Sequence, residues 1–200
     1  MRRLISLVAA CSLLPVAAAL PTFPSSAAPG AARSVVSAEP LALGDTARGG
    51  RRYDATIRFT EHGIPHVTAK NFGSLGFGSG YGAAQASICT LADTLVTGRG
   101  ERSRWFGLNG SYTDYVTLDA SNLQVDAFVT DLRNRRVVEK LLRSDAGPEK
   151  QAKAMVRGYV AGINRWLRTN TVKDPDCRGD GYLKPDAKPI DVWYGVYLAN

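Results

Sequence analysis

The 200-residue sequence has few of the side chains that enzyme sites commonly use. It contains two histidines and three cysteines, and the motifs H-E-x-x-H, G-x-S-x-G, C-x-x-C and the phosphate-binding P-loop do not occur in it. Three cysteines are also too few for a disulfide-rich scaffold. The residues alone therefore identify no catalytic residue, no metal ligand and no cofactor site in this chain.

Long apolar runs are also scarce. Residues 4–20 form an uncharged run of 17 residues that Pro15 interrupts, which is shorter than the ~20 residues of a membrane span and disfavours a transmembrane anchor. Two arginines precede this run, and small-residue cleavage sites occur at 17–19 and 26–28. We therefore predict a signal peptide and leader over residues 1–32, and a secreted, extracellular protein without stable membrane association.

The composition is that of a globular protein. Hydrophobic residues make up 44% and charged residues 22% of the chain, which excludes wholesale disorder and a collagen-like chain. The segment 21–50 is rich in proline, alanine and serine, so we predict a flexible lead-in over 33–50 and folded structure over 51–200.

The net charge of +7 falls to +5 without Arg2 and Arg3. Acidic residues accompany the arginines in every segment, which disfavours nucleic acid as a partner.

The two cysteines of the exported part predict a disulfide. Cys89 and Cys177 would form an even pair in an oxidising compartment, where pairing is the default. The alternative is a zinc site that combines both cysteines with His62 and His66. A glycine and a proline lie between these histidines and oppose the helix that would place both on one face, so zinc is disfavoured.

The first half of the folded part predicts a hairpin followed by a glycine-rich helix. Alternating apolar residues predict strands over 53–60 and 64–69, and helical spacing after the capping Asn71 predicts a helix over 72–97. The first half of this helix carries glycines at positions 73, 76, 78, 80 and 82. Each glycine costs a helix about 1 kcal/mol relative to alanine. The glycines therefore predict that the backbone of another element lies very close to this helix and offsets their cost.

A G-x-G-x-x-A match at 78–83 is the alternative for these glycines, since it is typical of a dinucleotide site. No buried strand runs directly into this match, so we disfavour a dinucleotide site.

Further on, we predict a basic-aromatic loop over 99–107, one helix over 125–142 with a solvated basic face, and a third helix over 148–167. The alternative role for this loop is to contact a phosphate group, but Glu101 lies among its arginines and disfavours that role. A polar loop precedes a last helix that begins at Pro189.

Several segments resemble the penicillin acylase family of N-terminal-nucleophile hydrolases, and within it the branch of aculeacin A acylase and penicillin V acylase. Their order along the chain makes the resemblance specific, and it covers the chain from about Tyr53. Ala86 departs from the acidic residue usual in the family. The matching segments are Gly-Ile-Pro-His-Val at 63–67, Gly-Ser-Gly-Tyr-Gly-Ala-Ala-Gln at 78–85, Ile-Cys at 88–89, the segments 100–107 and 158–167, and Asp-Cys-Arg-Gly at 176–179.

The resemblance implies an α+β fold: a mostly helical α chain with an N-terminal β-hairpin, which forms part of an αββα N-terminal-nucleophile hydrolase. It implies a zymogen that cleaves itself into a heterodimer, whose β chain begins with the nucleophilic serine. The function implied is hydrolysis of amides of hydrophobic acyl groups, such as the antibiotic penicillins, lipopeptides or N-acyl amides. The β chain and the acyl amide would be the partners, and this chain an α chain incomplete at its C-terminus, without the nucleophile.

The resemblance also gives two candidate pocket residues. Leu198-Ala199-Asn200 is similar to the Met-Ala-Asn of penicillin G acylases, which predicts that Leu198 and Tyr197 face the acyl group. Core packing is the alternative role for both side chains. The alternative function for the whole chain is a non-catalytic exported helical binding module.

Overall fold

The computed structural model describes residues 40–47, 51–113 and 119–199. The predicted signal peptide lies outside the described residues. Three strands come first and are followed by helices with one short strand pair between them. The elements are β1 Leu41–Ala47, β2 Arg51–Phe59, β3 Pro65–Ala69, α1 Phe72–Arg99, α2 Arg102–Phe106, β4 Ser111–Thr113, β5 Asp119–Ser121, α3 Asn122–Asn134, α4 Val137–Arg143, α5 Lys150–Thr169 and α6 Pro189–Leu198.

An antiparallel sheet in the order β1-β2-β3 opens the fold. The predicted hairpin is confirmed, with Ile57 opposite Val67 in the β2–β3 register. Within the flexible lead-in predicted over 33–50, residues 41–47 instead form strand β1, which pairs with β2 and places Leu43 in the core opposite Ala55. Its alternating Leu-Ala-Leu-Gly pattern is short, and backbone pairing with β2 is what stabilises it.

Helix α1 covers one face of this sheet. Tyr53, Ala55 and Ile57 alternate along β2 and are buried, as period-2 patterning predicts. The ring of Tyr53 stacks on Phe77 of α1 with 5.6 Å between the ring centroids. Together these side chains form the main apolar core of the described residues.

Glycines let α1 and α5 touch backbone to backbone. A Cβ atom added to Gly76 or Gly80 would lie 2.0 Å from the carbonyl oxygen of Met155 or Tyr159, respectively. In return, a Cβ atom at Gly158 would lie 1.8 Å from the carbonyl oxygen of Gly73. The close approach predicted from the glycines is therefore present. It also removes the dinucleotide alternative, since the glycines of the 78–83 match lie inside α1, where Gly80 faces α5 and Gly78 faces Val67 and Ala55 of the sheet.

The ends of α1 follow standard capping chemistry. Asn71 accepts a hydrogen bond of 2.8 Å from the backbone N–H of Ser74, as the sequence predicted. The helix ends two residues later than predicted, where Gly100 adopts a left-handed conformation with φ 70°. Ser87, directly after Ala86, has non-helical dihedrals and kinks the helix. No helix in the described part of the chain is long and apolar enough to cross a membrane.

The middle of the chain departs from the sequence-based prediction in three places. The single helix predicted over 125–142 is two helices, because Arg136 has a positive φ of 53° and breaks the first from the second. The predicted loop over 99–107 contains the short helix α2. The pair β4–β5 had no signal strong enough to predict, because each strand has three residues.

Candidate functional site

Helix α6 forms one wall of an apolar groove. Pro189 occupies its first turn, where the missing N–H costs nothing, and the helix presents apolar residues to α3 and α4. The groove has a volume of about 590 Å³. It is lined by Phe128 of α3, by Val138, Leu141 and Leu142 of α4, by Pro148, and by Trp193, Val196, Tyr197 and Leu198 of α6.

The lining of this groove is chemically uniform. Not one of its nine residues carries a formal charge, and Tyr197 and Trp193 contribute its only polar side-chain atoms. Phe128 is 52% exposed and Leu141 is 45% exposed, so part of the apolar lining faces outward. Such a surface can accommodate an apolar group, because burial of the group removes apolar area from water.

The two pocket residues predicted from the sequence lie on this groove. Tyr197 is exposed, whereas Leu198 is half-buried and packs against the cluster of Leu132, Val138 and Tyr194. Both side chains therefore line a cavity, and Leu198 also takes part in core packing. Phe128, Leu141 and Trp193 join them in the lining, and the sequence did not predict these three. Their apolar spacing was visible along two predicted helices, but only the packing of α3, α4 and α6 brings them together.

Buried ion pairs anchor the first turn of α6. The carboxylate of Asp191 is 2% exposed, and its Oδ2 accepts a hydrogen bond from Arg99 Nε at 3.0 Å. The same oxygen accepts the backbone N–H of Lys188 at 3.0 Å, and Arg133 lies 3.6 Å from Oδ1. Arg133 lies on the basic face predicted for the helix over 125–142, and for this residue the prediction of a solvated face is wrong, because Arg133 also donates to the carbonyl of Gly98 at 2.7 Å.

Tyr194 anchors the middle of α6. Its side chain is fully buried, and its hydroxyl donates to Glu139 Oε2 at 2.8 Å and contacts the carbonyl oxygen of Leu132 at 3.3 Å. Burial, together with the hydrogen bond to the Glu139 carboxylate, raises the pKa of Tyr194 to about 12. The guanidinium of Arg133 lies 4.6 Å from the centroid of this ring. Tyr194 thus joins α6 to both α3 and α4, which form the opposite wall of the groove.

The disulfide and the basic-aromatic segment stabilise the surroundings. Cys89 and Cys177 form a disulfide with an S–S distance of 2.05 Å, so these thiols are not available to zinc. Arg102 is buried and donates to Asn122 at 2.9 Å and to Asp93 at 2.8 Å. These contacts give the arginine an internal structural role, in place of the alternative phosphate contact. The described residues contain no cluster of three or more potential metal ligands.

Comparison with known proteins identifies the family. The family described as penicillin amidase matches residues 54–194. The chain belongs to the penicillin amidase family. The mostly helical α+β architecture with an N-terminal antiparallel sheet agrees with the fold class expected from the sequence.

Curated relatives of this penicillin amidase family chain include several acylases. Aculeacin-A acylase of Actinoplanes utahensis is 40% identical over 148 residues, which cover 70% of this chain and 18% of that protein. Acyl-homoserine lactone acylase PvdQ of Pseudomonas putida is 38% identical over 134 residues, 66% of this chain and 16% of that protein. The chain thus spans less than a fifth of the length of these relatives.

Among solved structures, the chain resembles the thermostable penicillin G acylase from Alcaligenes faecalis in its tetragonal form. The two superpose with a TM-score of 0.48 at 22% sequence identity, over 72% of this chain and 70% of the other.

Proposed function

We propose that this chain is the α chain, or an N-terminal part, of a secreted acylase that hydrolyses amides of hydrophobic acyl groups. The observation that carries the proposal is the uncharged groove at the C-terminal end of α6, on a chain whose relatives named above are acylases. In this proposal, Leu198 and Tyr197 contact the acyl group, and Phe128 faces them across the groove. The acidic and basic side chains that anchor α6 keep this surface in place.

The reaction that we propose follows the chemistry of N-terminal-nucleophile hydrolases. The hydroxyl oxygen of a serine, the first residue of a separate β chain, attacks the amide carbonyl carbon while its proton passes to the α-amino group of the same serine. An oxyanion hole stabilises the tetrahedral intermediate, and the C–N bond then breaks as the α-ammonium group returns the proton to the leaving amine. Water hydrolyses the resulting ester, releases the acid and regenerates the serine. This chain supplies the acyl-binding surface and scaffold, but not the nucleophile.

The groove contributes to such a reaction through binding energy. Each methylene group transferred from water to an apolar surface contributes about 0.8 kcal/mol. An acyl chain laid along α6 would hold the scissile amide at a fixed distance from the end of the groove. Positioning of this kind lowers the barrier because the reacting groups are already oriented.

Export and processing belong to the same proposal. Residues 1–32 act as the signal peptide and leader, and the Cys89–Cys177 disulfide fits an oxidising compartment. The two-chain form arises by self-cleavage of one precursor. Penicillins, acylated lipopeptides and other N-acyl amides are the substrate classes we propose.

The direct test is expression of the complete reading frame, followed by assay of the purified protein with phenoxyacetyl and fatty-acyl amides. We expect two chains on a denaturing gel and release of the free acid. N-terminal sequencing of the larger chain is expected to give serine. Two processed chains without turnover of any hydrophobic amide would contradict the proposed activity. An unprocessed chain that binds a ligand without turnover would instead favour the non-catalytic binding module.

A further inference from the structure

A second cleft lies at the N-terminal ends of α1 and α5. The glycine contacts pair Gly76 with Met155 and Gly80 with Tyr159, so the two helices run parallel and their first turns are neighbours. The cleft between these turns and β2 has a volume of about 570 Å³ and shares no lining residue with the α6 groove. It is lined by Arg52, Tyr53, Asn71, Phe72, Gly73, Lys150, Gln151, Ala154 and Arg157.

The charges of this cleft are of one sign. Arg52, Lys150 and Arg157 line it, and no carboxylate does. In the part of the chain that the structure describes, none of the three forms an ion pair or a side-chain hydrogen bond. Buried or half-buried arginines elsewhere behave differently, since Arg99 and Arg102 each bind a carboxylate within 3.0 Å.

Acidic side chains of the sheet lie beside this cleft, but they form no ion pair with its cations. Arg52 also borders a neighbouring hollow that Asp45 and Asp54 line. Asp45 pairs with Arg168 at 2.8 Å, and no ion pair joins Asp54 to a described cation. The cleft therefore carries a net positive charge that a ligand can complement.

An exposed aromatic ring accompanies the cations. Phe72 opens α1 and is 51% exposed on the rim of the cleft, beside the amide side chains of Asn71 and Gln151. Aromatic residues and arginine are enriched in the cores of protein interfaces, where a ring buries apolar area and a guanidinium binds carboxylates in pairs of hydrogen bonds. A small inorganic anion would use the cations but leave this ring in water.

We propose that this cleft binds an acidic polypeptide segment of a partner protein. Carboxylates of the segment pair with Arg52, Lys150 and Arg157, and an apolar side chain next to them packs on Phe72. This inference is independent of the proposed acylase activity, because it uses no residue of the α6 groove.

The test uses the full chain and a fluorescent peptide of alternating glutamate and leucine. We expect binding by fluorescence anisotropy that weakens as salt increases, and no binding of the matching glutamine–leucine peptide. Replacing Arg52, Lys150 and Arg157 together with alanine should lower the affinity for the peptide about tenfold or more. Phe72→Ala should weaken it several-fold without changing the salt dependence.

A charge-matched control variant carries Arg143→Ala, Lys173→Ala and Arg178→Ala, three exposed cations that lie outside the cleft. It should bind the peptide like the original chain, and thermal unfolding should show that both triple variants are folded. Equal losses in both variants would overturn the proposal, because binding would then be a property of net charge. Displacement of the peptide by pyrophosphate, with no effect of Phe72→Ala, would indicate a small-anion site instead. Binding to anionic lipid vesicles but not to the peptide would also overturn it.

Discussion

At the residue scale, single glycines decide how closely the two longest helices approach. The carbonyl oxygen of Tyr159 occupies the position where a side chain at Gly80 would begin. A methyl group there requires the helices to separate, and separation would loosen the core beneath α1. The helix penalty of glycine is thus offset by backbone contact that no other residue permits.

Gly80→Ala should therefore destabilise the protein even though alanine is the better helix former. We expect the free energy of unfolding to fall by about 2 kcal/mol, because an overpacking cost of about 3 kcal/mol outweighs the gain in helix propensity of about 1 kcal/mol. Denaturant-induced unfolding followed by circular dichroism measures the change. Gly44→Ala is the control, since an added Cβ atom meets its nearest neighbour at 3.9 Å. Equal stability of both variants would contradict the role of the helix contact.

Tyr194 gives a second prediction at this scale. Its pKa is raised to about 12 in the folded protein, above the ordinary value of 10.0 for the unfolded chain, so folding favours the protonated form. The stabilisation is fully present below pH 10 and is lost as the pH rises through 12. Thermal unfolding between pH 9 and 12 should show this loss. Tyr194→Phe should be less stable at neutral pH and show a shallower decline, and an unchanged slope would contradict the assignment.

At the scale of elements, α6 is held at its first turn by charge and at its middle by Tyr194. Asp191 forms ion pairs with Arg99 of α1 and Arg133 of α3. The polar loop before α6 is held separately, because Cys177 joins it to Cys89 of α1. Amphipathic spacing predicted α5 and α6, but it contains no information about which arginines face inward.

The disulfide should stabilise mainly the loop that carries Cys177. It joins residues that are 88 positions apart, and a bridge of this kind typically contributes about 2–4 kcal/mol. Replacing both cysteines with alanine should lower the melting temperature and increase hydrogen exchange over residues 170–188. A reducing agent should lower the melting temperature of the original chain but not of the variant. Equal responses of the two proteins to the reducing agent would contradict this prediction.

At the scale of the whole molecule, two surfaces of different chemistry lie on separate parts of the fold. The groove at α6 is uncharged, and the cleft at the start of α1 and α5 carries three unpaired cations among the described residues. Their separation allows each function to be tested without disturbing the other. The proposed acyl site and the proposed partner site therefore make independent predictions.

Leu198→Trp should shorten the acyl chain that the complete enzyme prefers. A larger side chain at Leu198 fills part of the groove, and each methylene group displaced from it loses about 0.8 kcal/mol of binding free energy. We expect kcat/KM for a dodecanoyl amide to fall about tenfold or more relative to a hexanoyl amide. Leu108→Trp is the control, because Leu108 is exposed and does not line the groove. A parallel loss for both amides would contradict a role in chain-length selection.

The sequence by itself determined the family and some of the local elements. Alternating apolar residues gave the β2–β3 hairpin, and the ordered motifs gave the penicillin amidase family. Glycine content predicted a close backbone contact, because glycine is otherwise costly in a helix. These features depend on neighbours along the chain, which the sequence displays directly.

Apart from the Cys89–Cys177 pair, only the tertiary structure decided which distant residues meet. Strand β1 requires β2 as its partner, and the break at Arg136 is a backbone conformation that no residue pattern indicated. The α6 groove and the cationic cleft each combine side chains from several elements. The physical reason is that burial and electrostatic potential depend on distances in space, which helix packing sets.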